Sequence, residues 1–255
     1  SFTALVGKLP IMLHSKHCHL NGLRKDSMVE HGEDPEDLGG YFILNGNERV
    51  LIMVEDLASN KLFVSKQATG PSKYTAKLFS EKESYRIPHT FEQMKDGIIY
   101  LSFSKYKRIP IISIIKALGL IKDQEIVSFI SEAKNYDEVF VNLYNHVDLR
   151  SERDALEYLS KRMGISHLKE QKTQRVREQL DKYLLPHIGT EPKDRIAKAY
   201  HMCKLLKRFL MVSKDGARQV DKDHYMNKRL KLSGDLLSDL FRVNLRSLVQ
   251  DMLYN

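Results

Sequence analysis

The first hundred residues alternate between short hydrophobic runs and turn-forming residues. Residues 39–54 contain two apolar, β-branched or aromatic runs on either side of Asn45 and Gly46. Because Asn and Gly both tolerate positive φ, this pattern predicts a β-hairpin. Composition predicts further strands at residues 62–67, 74–79, 84–87 and 98–106, and a proline-containing edge strand within residues 4–13.

After Pro110 the hydrophobic spacing becomes helical. Pro110 suits the first position of a helix that ends near Gly119. Ser151 and Asp154 form a weak capping box before another helix. Further helices are expected at residues 123–133, 136–146, 172–184, 193–212 and 234–253, the last with an apolar stripe wide enough for a buried face. A strand-rich start followed by a helical remainder predicts an α+β fold.

Composition bounds the class of protein. The chain has 255 residues, 42% hydrophobic and 29% charged, which suits one large or two modest folded domains. The two cysteines, Cys18 and Cys203, cannot form a disulfide scaffold, so we expect a reducing, cytoplasmic location. The longest apolar run, residues 109–120, is too short to span a bilayer, so no membrane partner is expected. No signal peptide and no initiator Met precede the fold, which predicts a processed or excised piece.

The positive charge is concentrated in one region. The net charge is +8, and residues 193–231 alone carry twelve Lys or Arg against four Asp. This stretch therefore accounts for the whole excess, and such a density of cations can neutralise several phosphates. A solvated, lysine-rich helix face explains the composition equally well.

Within that region, residues 221–234 carry the most varied chemistry. On a helix, His224, Lys228 and Lys231 would share one face and could follow a phosphate backbone. Asp223 would add an acceptor for a base amino group. Alternatively, Asp221 or Asp223 caps a helix. The candidate nucleic-acid-binding residues are Lys222, Asp223, His224, Lys228, Arg229 and Lys231.

Neither catalytic nor metal-binding residues are expected. The sequence has no glycine-rich phosphate loop and no Gly-x-Ser-x-Gly motif. His224 beside Asp223 is a possible base, but no nucleophile accompanies it. A cluster of possible ligands lacks the spacing of a zinc site, because no second Cys or His pair follows it. That cluster consists of His14, His17, Cys18 and His19.

The order of several motifs resembles the second-largest chain of multisubunit RNA polymerases, and most of all its archaeal form. Residues 8–13 (KLPIML) and 39–52 (GGYFILNGNERVLI) resemble its protrusion domain. Residues 108–112 (RIPII) with 117–119 (ALG) look like the helix entry of its lobe domain, and residues 185–188 (LPHI) also fit. Residues 221–242 are similar to the return of the chain into the protrusion. The resemblance is colinear over almost the whole chain.

The resemblance implies a domain arrangement. Residues 1–68 correspond to the first part of the protrusion, residues 69–214 to the lobe, and residues 215–255 to the returning segment of the protrusion. The implied fold is an incomplete protrusion with β-hairpin elements, plus a lobe with a small antiparallel sheet and several helices. The early protrusion would lie before Ser1.

The resemblance also implies a function. The family forms DNA-directed RNA polymerase, a nucleotidyltransferase, and this piece corresponds to the upper jaw of the DNA cleft. The family's Mg²⁺ is bound mainly by the largest subunit, so no cofactor is expected here. Expected partners are DNA, the largest and other polymerase subunits, and general transcription factors.

Two residues carry the expected DNA contact. In bacterial relatives the residues that match Asp223 and Lys228 contact the non-template strand near the downstream fork. This chain departs from them at Lys222, where they have an apolar residue, and at Lys228, where they have Arg. Lysine cannot form the bidentate hydrogen bonds of arginine, but its charge can still contact a phosphate, so a phosphate contact is expected at Lys228. The alternative function is a protein-docking module, in which helices between residues 123 and 184 receive transcription factors or small subunits.

Overall fold

The computed structural model describes residues 3, 5, 7–70, 72–83, 85–131, 136–165 and 169–254. Its strands within these ranges are β1 (Phe42–Leu44), β2 (Asn47–Arg49), β3 (Val54–Leu57), β4 (Leu62–Lys66), β5 (Tyr74–Lys82), β6 (Tyr85–Gln93), β7 (Ile99–Phe103), β8 (Tyr106–Pro110) and β9 (Lys228–Lys231). Its helices are α1 (Lys25–Glu30), α2 (Ile111–Ala117), α3 (Asp123–Ile130), α4 (Asp137–Tyr144), α5 (Glu152–Arg162), α6 (Lys169–Tyr183), α7 (Arg195–Ser213) and α8 (Ser233–Tyr254). Single 3-10 turns occupy Pro192–Asp194 and Tyr225–Asn227. The predicted α+β class is confirmed.

The chain divides into two compact units. One comprises Ser1–Asp56 together with Leu230–Asn255, and the other comprises Leu57–Arg229. The second unit is therefore inserted into the sequence of the first. The assignment of residues 1–68, 69–214 and 215–255 to protrusion, lobe and returning segment stays a prediction.

A five-stranded antiparallel sheet, β4-β5-β6-β7-β8 in chain order, forms one layer of the Leu57–Arg229 unit. The strand registers align a row of apolar side chains across all five strands. These side chains are all buried, as the alternation of a half-covered sheet requires. The row consists of Val64, Ala76, Phe91, Leu101 and Ile109.

Helix α2 lies in the core of the same unit. Pro110 precedes its first residue, and every residue of the helix is buried. The buried ammonium of Lys116 donates to the carbonyl of His146 at 3.2 Å and lies 2.9 Å from a carboxylate oxygen of Asp123. These partners satisfy a charge that burial alone would destabilise.

The capping box at the start of α5 is confirmed. Ser151 Oγ accepts a hydrogen bond from the backbone N–H of Asp154 at 3.2 Å. In return, the Asp154 carboxylate accepts from the backbone N–H of Ser151 at 3.0 Å. Both bonds satisfy backbone donors that a helix N-terminus leaves without partners.

The hairpin predicted around Asn45 and Gly46 is also confirmed. Strands β1 and β2 pair antiparallel, with Leu44 opposite Asn47. Asn45 and Gly46 between them have φ values of 51° and 77°. Both angles lie in the left-handed region, which these residue types adopt at low cost.

Two expectations for the Ser1–Asp56 and Leu230–Asn255 unit are wrong. The described residues between 4 and 13 form no strand. Leu13 instead exchanges backbone hydrogen bonds with Gly40 and Tyr41, while Pro10 has no N–H to give to a ladder. The apolar stripe of α8 is not a buried face, because no residue of this helix is buried within the described part of the chain.

Two predicted elements extend onto residues that the structure does not describe. The end of the helix predicted to residue 133 falls on residues 132–135, and the start of the strand predicted at 84 falls on Ser84; both lie outside the described residues. Among the helices that are described, none combines the length and hydropathy needed to cross a bilayer.

Candidate nucleic-acid interface

Residues 221–229 form a tight polar turn. The Asp221 carboxylate accepts a hydrogen bond from the backbone N–H of Asp223 at 2.9 Å, and His224 Nδ1 accepts from the N–H of Met226 at 3.1 Å. His224 thus caps the 3-10 turn, the role that the sequence assigned to Asp221 or Asp223. These local side-chain acceptors replace the bonds of a continuing helix.

The predicted helix carrying His224, Lys228 and Lys231 on one face is therefore wrong. Residues Lys228–Lys231 are extended and form β9, which pairs with β3. Side chains alternate along a strand, so Lys228 and Lys231 lie on opposite faces of β9. The pairing partner, β3, is distant in sequence, and local periodicity gives no sign of it.

Asn227 anchors this turn. Its side chain is only 4% exposed. Its amide Nδ2 donates to the carbonyl of Asp221, its Oδ1 accepts from Lys61 Nζ, and its backbone carbonyl accepts from Ala58 N–H at 2.8 Å. A buried amide with all these partners fixes the turn against the segment before β4.

The anchored turn presents charged side chains to solvent. Lys222, Asp223, His224 and Arg229 are all exposed. Lys228 is more enclosed, with 21% of its side chain exposed, and its Nζ lies 3.9 Å from Asp223 Oδ1. The structure therefore brings Asp223 and Lys228 together. The cations of the turn can contact phosphates, and the exposed carboxylate of Asp223 can accept a hydrogen bond from a base edge.

Lys231 belongs to the other compact unit. Its Nζ lies 2.9 Å from a carboxylate oxygen of Asp239 on α8, and its side chain is half-buried. Part of its charge is thus neutralised within that unit.

Much of the basic stretch 193–231 has structural partners. Arg195 pairs with the Asp181 carboxylate through two nitrogens, and Lys214 pairs with Glu138. Lys198 is buried and donates to the carbonyls of Leu180 and Asp181 at the end of α6. Burial lowers the pKa of Lys198 to about 8. These cations stabilise helix ends, so the charge count overstates what the stretch can offer to phosphates.

Sequence reasoning missed two residues of this region. Tyr225, at the tip of the turn, is 86% exposed. An exposed aromatic ring beside cations can stack on a base. The position of Tyr225 within a polar run was the sequence feature that could have indicated this role. Lys61 was also missed, because its bond to Asn227 joins residues 166 positions apart.

The cluster near the chain start shows no metal-site geometry. His17 and His19 are exposed, whereas His14 and Cys18 are half-buried. Throughout the described ranges, no three His, Cys, Asp or Glu side chains come together as a metal ion requires. Cys18 and Cys203 are both free thiols.

Comparison with known proteins gives a consistent result. Residues 3–255 match the family model described as RNA polymerase beta subunit. The chain is 38% identical to DNA-directed RNA polymerase subunit Rpo2 of Saccharolobus solfataricus and to subunit Rpo2N of Halobacterium salinarum. It is 37% identical to subunit Rpo2N of Methanothermobacter thermautotrophicus. Each alignment covers 98% of this chain, but 22%, 49% and 53% of these relatives respectively.

Proposed function

Because the chain belongs to the RNA polymerase beta subunit family, we propose that it is part of a DNA-directed RNA polymerase and helps to form its DNA cleft. The observation that carries this proposal is the anchored turn 221–229. A buried Asn227 holds the turn in place, while Lys222, Arg229 and the ring of Tyr225 are exposed to solvent. A pre-organised loop of this kind loses little conformational entropy when it binds.

In the proposed complex, the turn holds the non-template strand near the downstream fork. Lys222, Lys228 and Arg229 supply positive charge to phosphates, and Tyr225 stacks on an unpaired base. Asp223 accepts a hydrogen bond from a base amino group, which cations cannot do. The side chain of Asp223 is 94% exposed, so it can reach a base without a rearrangement of the turn.

The proposal places nucleotide addition elsewhere in the assembly. The chain acts with the largest and the other polymerase subunits, and Mg²⁺ is held mainly by the largest subunit. The residues of this chain position DNA and do not touch the reacting atoms. The compartment that follows from this role is the cytoplasm.

Salt dependence of DNA retention tests the proposal. In a reconstituted polymerase, Lys228→Ala and Lys231→Ala should each make the negative slope of log K against log salt shallower, by about one unit per lost phosphate contact. Lys105→Ala removes an exposed cation from the β7–β8 turn and serves as the matched control. A slope that stays unchanged in Lys228→Ala would refute a phosphate contact there.

Protein docking is the second candidate function. The observation that favours it is a set of exposed apolar side chains on α4, including Phe140 and Tyr144, within the Leu57–Arg229 unit. Apolar surface of this kind commonly marks a protein interface. General transcription factors and small polymerase subunits are the proposed partners. Loss of a factor interaction on changing these residues, with DNA retention intact, would support it.

A further inference from the structure

Helix α4 is apolar on two sides. Its inner side carries Val139 and Leu143, which are buried in the core. Its outer side carries Phe140 and Tyr144, and Val147 follows just beyond its end; these side chains are 47%, 81% and 51% exposed. The three residues lie at i, i+4 and i+7, the spacing of one helical face. A surface helix ordinarily places polar residues there, so this stripe calls for a partner.

The stripe borders an open groove between α3 and α4. The groove has a volume of about 560 Å³. Helix α3 contributes Val127 and Ser128 to its wall, and α4 contributes Phe140, Leu143 and Tyr144. Almost all of the exposed lining is apolar, which suits the insertion of a few large hydrophobic side chains.

The surroundings of the groove are acidic. Among the described residues between 122 and 150, five are Asp or Glu, against Lys122 and Arg150 as the cations, in a chain whose net charge is +8. Asp137 and Asp148 are exposed at the two ends of the stripe. Asp123 lines the groove and pairs with the buried Lys116, and no Lys or Arg is among the described lining residues. Complementarity therefore favours a positively charged occupant.

We propose that the α3–α4 groove is the docking site of a basic amphipathic helix from a partner polypeptide. The partner's apolar side chains, spaced at i, i+3 or i+4, and i+7, pack against Phe140, Tyr144 and Val147, and its cations face Asp137 and Asp148. The inference rests on the proposed assembly of this chain into a polymerase, and it specifies the surface and the partner chemistry of the docking function.

A photocrosslinker at Tyr144 tests this inference. The residue is replaced by p-benzoylphenylalanine in the full-length chain of an assembled polymerase, and the crosslinked peptide is sequenced by mass spectrometry. The expected adduct is a peptide with net positive charge and apolar residues at helical spacing. Adding Val147→Ser should lower its yield by about fivefold or more, as truncation of an interface anchor does.

Val141→Ser is the matched control. Val141 lies on the same helix and is also exposed, but it lines a different cavity. The crosslink yield should stay within about twofold of the parent, as for residues outside an interface centre. An equal loss in both valine variants would overturn the proposal. So would no adduct, an adduct with a second copy of this chain, or an adduct whose peptide lacks the basic amphipathic pattern.

The same preparations are assayed for DNA retention. Normal retention with no peptide adduct would refute the docking groove and leave the proposed DNA role intact. A crosslinked basic amphipathic peptide would support docking in the α3–α4 groove. If the salt slope were also unaffected by Lys228→Ala, the phosphate contact of Lys228 would be refuted while the docking proposal stood. The two proposals therefore fail separately.

Discussion

The carboxamide of Asn227 accepts a hydrogen bond from the ammonium of Lys61, 166 positions earlier in the chain. This bond ties the turn that carries the candidate DNA contacts to the segment preceding the five-stranded sheet. Both residues belong to the Leu57–Arg229 unit. The position of the turn therefore depends on a residue that does not itself face solvent.

Asn227→Ala should weaken DNA retention although Asn227 is buried. The change leaves Lys61 Nζ and the Asp221 carbonyl without their side-chain partner, at a cost of about 1–3 kcal/mol. Hydrogen exchange at the Ala58 amide, which donates to the Asn227 carbonyl, reports the loosening. Asn145→Ala, at an exposed residue that bonds the Val141 carbonyl, is the control. Unaltered exchange and retention in Asn227→Ala would contradict the anchoring role.

Asp223→Ala should reduce discrimination among bases without lowering the salt slope. The carboxylate is an acceptor for a base amino group, and its removal takes away no phosphate contact. Retention is measured on DNA bubbles that differ at one non-template position near the downstream fork. A uniform rise in retention on every bubble would instead mean that Asp223 only neutralises Lys228, whose Nζ lies 3.9 Å away.

The connection between α6 and α7 should loosen in acid. His89 is buried; its Nδ1 donates to the Ile87 carbonyl at 3.0 Å, and its Nε2 accepts from the Leu185 N–H at 3.2 Å. These two bonds require a neutral ring. Burial lowers the pKa of His89 to about 4 from 6.5, and the nearby charges of His187 and Lys198 act in the same direction.

The sign of this pH effect follows from linkage. The unfolded chain takes up a proton near pH 6.5, while the folded chain resists until about pH 4. The contribution of His89 to the free energy of unfolding is therefore fully present above pH 6.5. It is lost as the pH falls from 6.5 to about 4, by on the order of 3 kcal/mol at most.

Hydrogen exchange at the Leu185 amide, corrected for intrinsic rates, checks this prediction at pH 7 and pH 5. The Ala58 amide, whose acceptor is a backbone carbonyl, is the internal control. Leu185 should lose more protection than Ala58. Equal protection of Leu185 at both pH values would contradict the requirement for a neutral His89.

Local chemistry made much of the fold predictable. Asn45 and Gly46 specify the β1–β2 turn through their tolerance of positive φ, and Ser151 with Asp154 specifies the start of α5. Residues of high β propensity also located β4, β7 and parts of β5 and β6. These features depend on neighbours in sequence, so the sequence alone contains all the information they need.

The candidate site was less predictable because its geometry depends on distant residues. The spacing of residues 228–231 fits a helix, but the pairing of this segment with β3 makes it a strand. Arg195 and Lys198 add to the basic count, but the end of α6 occupies them. Both partners, β3 and the end of α6, are too distant in sequence for a local residue pattern to indicate them. The residue types of the site were therefore foreseeable, whereas their arrangement was not.

A photocrosslinker at Tyr225 tests the central claim most directly. Replacement of this exposed ring by p-benzoylphenylalanine keeps Lys222, Lys228 and Arg229 in place. In a reconstituted polymerase carrying a DNA bubble, the account predicts capture of the non-template strand near the downstream fork, and no DNA capture from the same probe at Tyr144. An active polymerase whose Tyr225 probe captures no DNA would contradict the account and make residues 221–229 a structural turn.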